Sequence, residues 1–273
     1  MSVARPERIE TAMPFPESPR VIYGKNPLVE VICQLRFPTI LRIGRDQPAD
    51  FQERVRQQYP LYALEDRPAE LPKELASILA HVGLPRPSAG VAHRFETPDS
   101  QRLISLCQDF VALTERKYTT WELFRNQMAE TENAIRQVYS PAFYSRIGLR
   151  YRDVISRSNL GMPEAKWTDL LQPQILGELG STEVSDAITS TKTQSVIRLT
   201  EIPGAEVSLA HGLVQYGDSR ELCYMIDADF YVRGKDDSGE PFGILDTFNR
   251  LAGRLFRWAI TDALHRTMGP QSI

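Results

Sequence analysis

The stretch 195–201, SVIRLTE, is followed by 206–215, EVSLAHGLVQ, and by 221–232, ELCYMIDADFYV. All three runs are rich in the apolar and β-branched residues that strands favour. Pro203-Gly204 and Gly217-Asp218-Ser219 separate them, and these residue types are the ones that tight turns require. Because short turns join antiparallel strands, the sequence predicts a three-stranded antiparallel meander in this region.

Two apolar stripes of helical spacing predict two long helices outside the meander. The first follows the capping-box pair Thr119 and Glu122 and ends before Pro141. The second extends over residues 244–268 and ends at Gly269-Pro270, a combination that terminates helices.

Other segments alternate between apolar and polar residues, which is the pattern of half-buried strands. They are 29–37, 94–97, 103–113 and 143–155, and the proline-rich stretch 60–90 is predicted to be a long irregular connection. This element order predicts an α+β fold, with a curved, mainly antiparallel sheet and two long helices packed on one face. A helix-grip-like and a duplicated ββα-like arrangement both satisfy the order, and helix-grip arrangements can leave a cavity between sheet and helix.

The domain organisation follows from composition. Residues 1–19 are rich in proline and charge, so they are predicted to form a flexible N-terminal arm. Residues 20–273 are predicted to form a single α+β domain, and a two-lobed division near 156–194 remains an alternative.

Bulk properties exclude several classes of function. The chain has 32 Lys and Arg against 35 Asp and Glu, a net charge of -3, which offers no general support for nucleic-acid binding. The cysteines Cys33, Cys107 and Cys223 and the four histidines lack metal-ligand spacing. No stretch approaches the ~20 apolar residues of a membrane helix, and the first residues are not a signal peptide. We therefore expect a cytoplasmic protein without a metal, a cofactor or a readable catalytic residue.

Asp227 and Asp229 are the most suggestive candidate site. Alternation places both carboxylates on one face of a strand, ~7 Å apart, and paired carboxylates can hold Mg²⁺ against a substrate phosphate. The alternative is structural: the two aspartates lie on a solvent-facing side of the sheet or pair with arginines. The sequence favours this alternative.

Arg146, Arg150 and Arg152 are the complementary feature, because alternation also places them on one face of a strand. Guanidinium groups suit phosphate, so this strip could hold an anion or a nucleic-acid backbone. It could instead face Asp227 and Asp229 across neighbouring strands, where opposite charges favour register. The structural interpretation requires that the two strands be adjacent.

Trp258 lies off the apolar stripe of the last helix, beside Arg254 and Arg257. Tryptophan and arginine are enriched in interface hot spots. The sequence therefore predicts an interface at these three residues.

Four features together resemble one protein family. They are the opening NPLVEV at 26–31, the Tyr118-x-x-Trp121-x-x-Phe124 element, the strand RIGLRY at 146–151 and the Asp-rich strand before the closing helix. The family is bacterial, sporadically distributed, uncharacterised and of about this length, and the resemblance spans residues 20–268. It implies no activity and no catalytic residue, and its patchy distribution suggests a defence or mobile-element context. Arg152 and Asp153 depart from the more neutral strand continuation that we expect there.

The expected function is non-enzymatic binding or assembly, through a protein partner or self-association. One alternative is a binder of small ligands or nucleotides, or a divergent metal-dependent enzyme, with Asp227 and Asp229 at its site. Another is nucleic-acid binding through the arginine strip.

Overall fold

The computed structural model describes residues 14–68, 88–216, 221–236 and 240–272. Its strands are β1 (Val21–Tyr23), β2 (Leu28–Arg36), β3 (Leu61–Pro68), β4 (Ser88–Glu96), β5 (Arg102–Cys107), β6 (Phe110–Glu115), β7 (Tyr144–Ile155), β8 (Lys192–Arg198), β9 (Ala205–Gln215), β10 (Leu222–Asp236) and β11 (Pro270–Ser272). Its α-helices are α1 (Leu41–Arg45), α2 (Ala49–Val55), α3 (Trp121–Tyr139), α4 (Arg157–Leu160), α5 (Trp167–Leu170), α6 (Pro173–Leu176), α7 (Phe242–Ala259) and α8 (Asp262–Thr267).

Nine of these strands form one sheet in the order β3-β4-β5-β6-β2-β7-β10-β9-β8, and each neighbouring pair is antiparallel. The strands β1 and β11 form a separate two-stranded ribbon. The predicted α+β class, with a large, mainly antiparallel sheet and two long helices, is confirmed.

The chain order repeats itself in the two halves of the sheet. One half of the sheet contains β2 to β6 and the other contains β7 to β10. The first strand of each half, β2 or β7, lies at the centre of the sheet, and the following strands start at the outer edge and proceed toward the centre. The meander β3 to β6 ends beside β2, the meander β8 to β10 ends beside β7, and a long helix follows each one. The topology therefore has the duplicated character that was one of the two predicted arrangements.

The core lies between the sheet and the long helices. Cys33, Leu149 and Phe230 are register partners in three adjacent strands and are fully buried. Phe248 of α7 packs on Phe230 with ring centroids 6.1 Å apart. Burying an aromatic or leucine side chain of this kind contributes about 1.5–3 kcal/mol, so this apolar row fixes which face of the sheet receives the helices.

Two predicted elements have different bounds in the structure. The predicted strand 103–113 is two strands, β5 and β6, with a tight turn between Cys107 and Phe110. The connection predicted over 60–90 begins with β3 and ends in β4, because these segments pair with each other; residues 69–87 lie outside the described residues. The turn predicted at 217–219 also lies outside them.

The two long helices also begin or end at other residues than predicted. The cap of α3 is Thr120, whose side chain accepts a hydrogen bond from the Leu123 amide, so it lies one residue after the predicted cap. The closing segment 244–268 is two helices, because Ile260 is extended and forms a bridge with Leu171. Thr261 then caps α8 by accepting from the Leu264 amide.

The predicted N-terminal arm is described from residue 14 onward, and there it is packed on the fold. Phe15 is 1% exposed, and its ring lies 5.6 Å from the ring of Trp258. Glu17 pairs with Arg254 at 3.0 Å. The described part of the predicted arm therefore makes packing and ion-pair contacts with α7.

No helix among the described residues is long and apolar enough to cross a membrane.

Candidate functional site

The predicted aspartates and arginines meet across two adjacent strands. The strands β7 and β10 are antiparallel neighbours, with Asp227 opposite Arg152 and Asp229 opposite Arg150. These side chains lie on the face of the sheet away from the long helices, since the residues between them, such as Ala228 and Tyr151, are buried in the core. This is the arrangement that the structural interpretation of the charges requires.

Each aspartate of this charged face accepts two hydrogen bonds from one guanidinium group. Arg150 donates to the two carboxylate oxygens of Asp227 at 2.6 and 2.5 Å. Arg146 donates to both oxygens of Asp229 at 2.9 and 2.8 Å. In the Arg150–Asp227 pair two guanidinium nitrogens each meet one carboxylate oxygen, which is the strongest geometry for an arginine–carboxylate pair. Arg146 contacts both oxygens of Asp229 through a single nitrogen.

Arg152 completes the charged face. Its guanidinium lies 2.9 Å from a carboxylate oxygen of Glu30 on β2 and 3.4 Å from Asp227. Three arginines thus meet three carboxylates. Arg36 and Arg233 lie beside Arg146 on the same face, as its register partners on β2 and β10. Carboxylates use much of the donor capacity of Arg146, Arg150 and Arg152, which leaves less of it for a phosphate.

Gly148 leaves space for the pair between Arg146 and Asp229. Arg146 extends along β7 over Gly148 to reach Asp229, and a Cβ at Gly148 would collide with the Arg146 guanidinium. The glycine in the RIGLRY strand therefore provides room for a side chain.

In the described part of the chain, no group of three or more His, Cys, Asp or Glu side chains is placed to hold a metal ion.

The predicted interface residues make contacts within the chain. Trp258 is half-buried against Phe15, and Arg254 is buried and pairs with Glu17. Arg257 donates to Asp262 and to the carbonyl of Ile260. The structure brings all three together, and their partners belong to the N-terminal segment and the start of α8.

A cavity of about 570 Å³ lies between the sheet and α7. Strands β2 and β7, the N-terminal segment with β1, and the residues before α3 provide its other walls. Its aromatic lining consists of Tyr23, Tyr118, Trp121, Tyr151 and Phe256. A helix-grip arrangement permits a cavity of this kind between sheet and helix. The cavity and the charged face lie on opposite sides of the sheet.

Asp153 of β7 is the unusual residue of this cavity. It lines the cavity wall, is 9% exposed, and has no hydrogen-bond or ion-pair partner among the described residues. Burial, reinforced by the negative charge of Asp227, raises the pKa of Asp153 to about 8. A buried carboxyl group normally has a partner, since an unpaired buried charge is costly.

The other polar groups of the cavity are mostly paired. The Tyr151 hydroxyl donates to the Asn249 side chain at 2.9 Å, and the Trp121 indole donates to Asp246 at 2.7 Å. Arg250 is exposed at the rim and has no ion-pair partner among the described residues. Asp153 is therefore a buried charged group of the cavity with unused hydrogen-bonding capacity.

Asp153 is not among the predicted site residues, although the sequence contains a signal for it. Strand alternation places Ile147, Leu149, Tyr151 and Asp153 on one face, and the first three are core residues. A carboxylate that continues an apolar strand face is a candidate buried group. The resemblance to the bacterial family gives the same signal, because it predicts a more neutral residue than Asp153 at this position.

A second, wider hollow of about 680 Å³ lies beside the first half of α3. Its polar groups pair with each other: Gln58 donates to Glu130 at 2.9 Å, and Thr97 donates to Asp99 at 2.6 Å. This pairing leaves fewer groups for a ligand than the cavity beside Asp153.

No family model matches the chain, and no curated protein matches it.

Proposed function

We propose that the protein is a non-enzymatic binding protein for a small organic molecule, which it holds in the cavity between the sheet and α7. The observation that carries the proposal is Asp153, a nearly buried carboxyl group that faces the cavity and has no partner among the described residues. A polar group aimed into a largely apolar cavity is the usual means of orienting a ligand.

The size and lining of the cavity support this function. A volume of about 570 Å³ lies within the range of roughly 300–1,000 Å³ that is typical of small-molecule sites. The aromatic and aliphatic side chains provide apolar contact, and Asp153 provides direction. The charged face of β7 and β10 is a less suitable site, because its arginines already bind carboxylates.

Two glycines of α7 allow a matched test. Gly253 lines the cavity, whereas Gly243 lies in the first turn of the same helix outside the cavity lining, and both have open space around a Cβ. Thermal-shift screening of a metabolite library should find ligands that raise the Tm of the wild-type protein. Gly253→Leu, which fills the cavity, should abolish these shifts, whereas Gly243→Leu should retain them. Equal shifts in all three proteins would contradict binding in this cavity.

Self-association is the second candidate, and the edge strand β8 favours it. This strand is exposed along most of its length, with Val196 58% exposed, and it ends the described sheet. Open edge strands can pair with another chain. Light scattering after size exclusion should then show a dimer that Val196→Lys disrupts, and a strict monomer at all concentrations would contradict this candidate.

A further inference from the structure

We propose that the ligand is a basic organic molecule, whose protonated nitrogen pairs with the carboxylate of Asp153 while its apolar body lies among the aromatic side chains of the cavity. This inference rests on the proposed function, because it names the class of ligand for the same site.

The position of Asp153 favours a cationic group over other partners. The carboxyl lies on the cavity wall with 9% of its surface exposed, and the described protein residues supply it with no counter-ion. An isolated carboxylate in such a site is costly, and a bound cation removes most of that cost. A ligand ammonium or amidinium group therefore gains more binding free energy at this position than a neutral group does.

The aromatic lining supports the same class of ligand. Tyr23, Tyr118, Trp121, Tyr151 and Phe256 surround the cavity. Aromatic ring faces attract organic cations, with about 0.5–2 kcal/mol for each favourable contact. Val21, Ile22 and Leu28 add aliphatic surface for the hydrocarbon part of the ligand.

The paired arginines of the cavity lining have carboxylate partners other than Asp153. Arg20 pairs with Glu122, Arg254 with Glu17 and Arg257 with Asp262. Arg250 is exposed at the rim, and Asp246 of α7 pairs with Arg125. The remaining titratable groups near Asp153 are the tyrosines of the lining, and Asp227 lies behind the sheet and contributes a further negative charge.

The proton balance of binding follows from the pKa of Asp153, which is about 8 in the protein without ligand. Near pH 7 most molecules carry a protonated, neutral Asp153. A cationic ligand binds the ionised form, so complex formation releases this proton to the solvent. Affinity should rise with pH until about pH 8.

A series of three indoles tests the inference by isothermal titration. Tryptamine carries a protonated amine, 3-ethylindole has no charged group, and indole-3-propionate carries a carboxylate on a similar body. We expect tryptamine to bind wild-type protein at least about tenfold more tightly than either analogue. Asp153→Asn should lower the affinity for tryptamine to that for 3-ethylindole and leave 3-ethylindole binding unchanged.

The outcomes separate this inference from the proposed function. Equal or tighter binding of 3-ethylindole or indole-3-propionate, abolished by Gly253→Leu, would overturn the basic ligand and leave small-molecule binding intact. Binding of none of the three to wild-type protein would overturn the basic ligand, and the metabolite screen would then decide small-molecule binding by itself. Binding that Gly253→Leu does not change would overturn both. Circular dichroism of each variant establishes that it is folded.

Discussion

Asp153 and Asp227 lie on neighbouring strands and on opposite faces of the same sheet. Asp153 is the register partner of Ile226, the residue immediately before Asp227. Asp153 faces the cavity, whereas Asp227 accepts hydrogen bonds from Arg150 on the other side. The charge of Asp227 nevertheless raises the pKa of Asp153, so the two faces are coupled electrostatically through the sheet.

This coupling predicts that Asp227→Asn lowers the pKa of Asp153, because it removes one of the two causes of the shift. The pKa should remain above its ordinary value, since burial is the larger cause. NMR titration of the carboxyl carbons measures it directly. Asp229→Asn is the matched control on the same face and should leave the pKa unchanged; equal effects of the two substitutions would argue against the coupling.

The raised pKa of Asp153 predicts that stability decreases with pH. The pKa is about 8 in the folded protein and 3.8 ordinarily, so unfolding releases a proton between these values. The folded state is thus favoured most below pH 3.8 and loses this contribution as the pH approaches 8. Asp153→Asn should therefore exceed wild-type stability by at least about 2 kcal/mol at pH 8 and by much less at pH 4. Urea unfolding at both pH values gives the difference, and a pH-independent difference would show an unshifted carboxyl.

Gly148→Ala should break the pair between Arg146 and Asp229. The added methyl group occupies the space of the Arg146 guanidinium, and the displaced arginine leaves a partly buried aspartate without its main partner. We expect a loss of about 1–3 kcal/mol in the free energy of unfolding. Gly243→Ala, at an open helical position, should instead raise it by about 0.5–1 kcal/mol. An unchanged free energy of unfolding in Gly148→Ala would mean that Arg146 still pairs with Asp229 in another side-chain conformation.

Phe15→Ala should detach the N-terminal segment from α7. Removal of a fully buried phenylalanine costs about 3–5 kcal/mol, and Phe15 is 1% exposed against Trp258. Because residues 18–23 line the cavity, ligand binding should weaken as well. Leu41→Ala, at a position 72% exposed, should change stability by less than about 0.5 kcal/mol. Equal stability changes for the two substitutions would show that residues 14–19 do not pack on the fold.

The three cysteines should be unreactive in the folded protein. Cys33, Cys107 and Cys223 are all buried and form no disulfide, and burial raises the pKa of the Cys33 and Cys223 thiols. The thiolate is the reactive form, so a colorimetric thiol reagent should label no cysteine under native conditions and three in denaturant. Rapid labelling of one cysteine in the native state would show local opening of its strand.

Alternation and turn chemistry determined much of this protein from its sequence. The spacing of Asp227 and Asp229 placed them on one strand face, and the runs of 195–232 predicted a meander that the strands β8, β9 and β10 form. These features depend on residues close together in the chain. The two long helices were also predictable, because their apolar stripes repeat every three to four residues.

Tertiary structure alone decided the partners and the depth of burial. Arg150 meets Asp227 across 77 residues of chain, and this pairing depends on the placement of β7 beside β10 rather than on local pattern. The same placement puts Asp153 under α7, where the helix and the N-terminal segment exclude most of the solvent. Local sequence determined which face each carboxylate takes, whereas the packing of distant segments determined that Asp227 is paired and that Asp153 faces a cavity with no partner from the described chain.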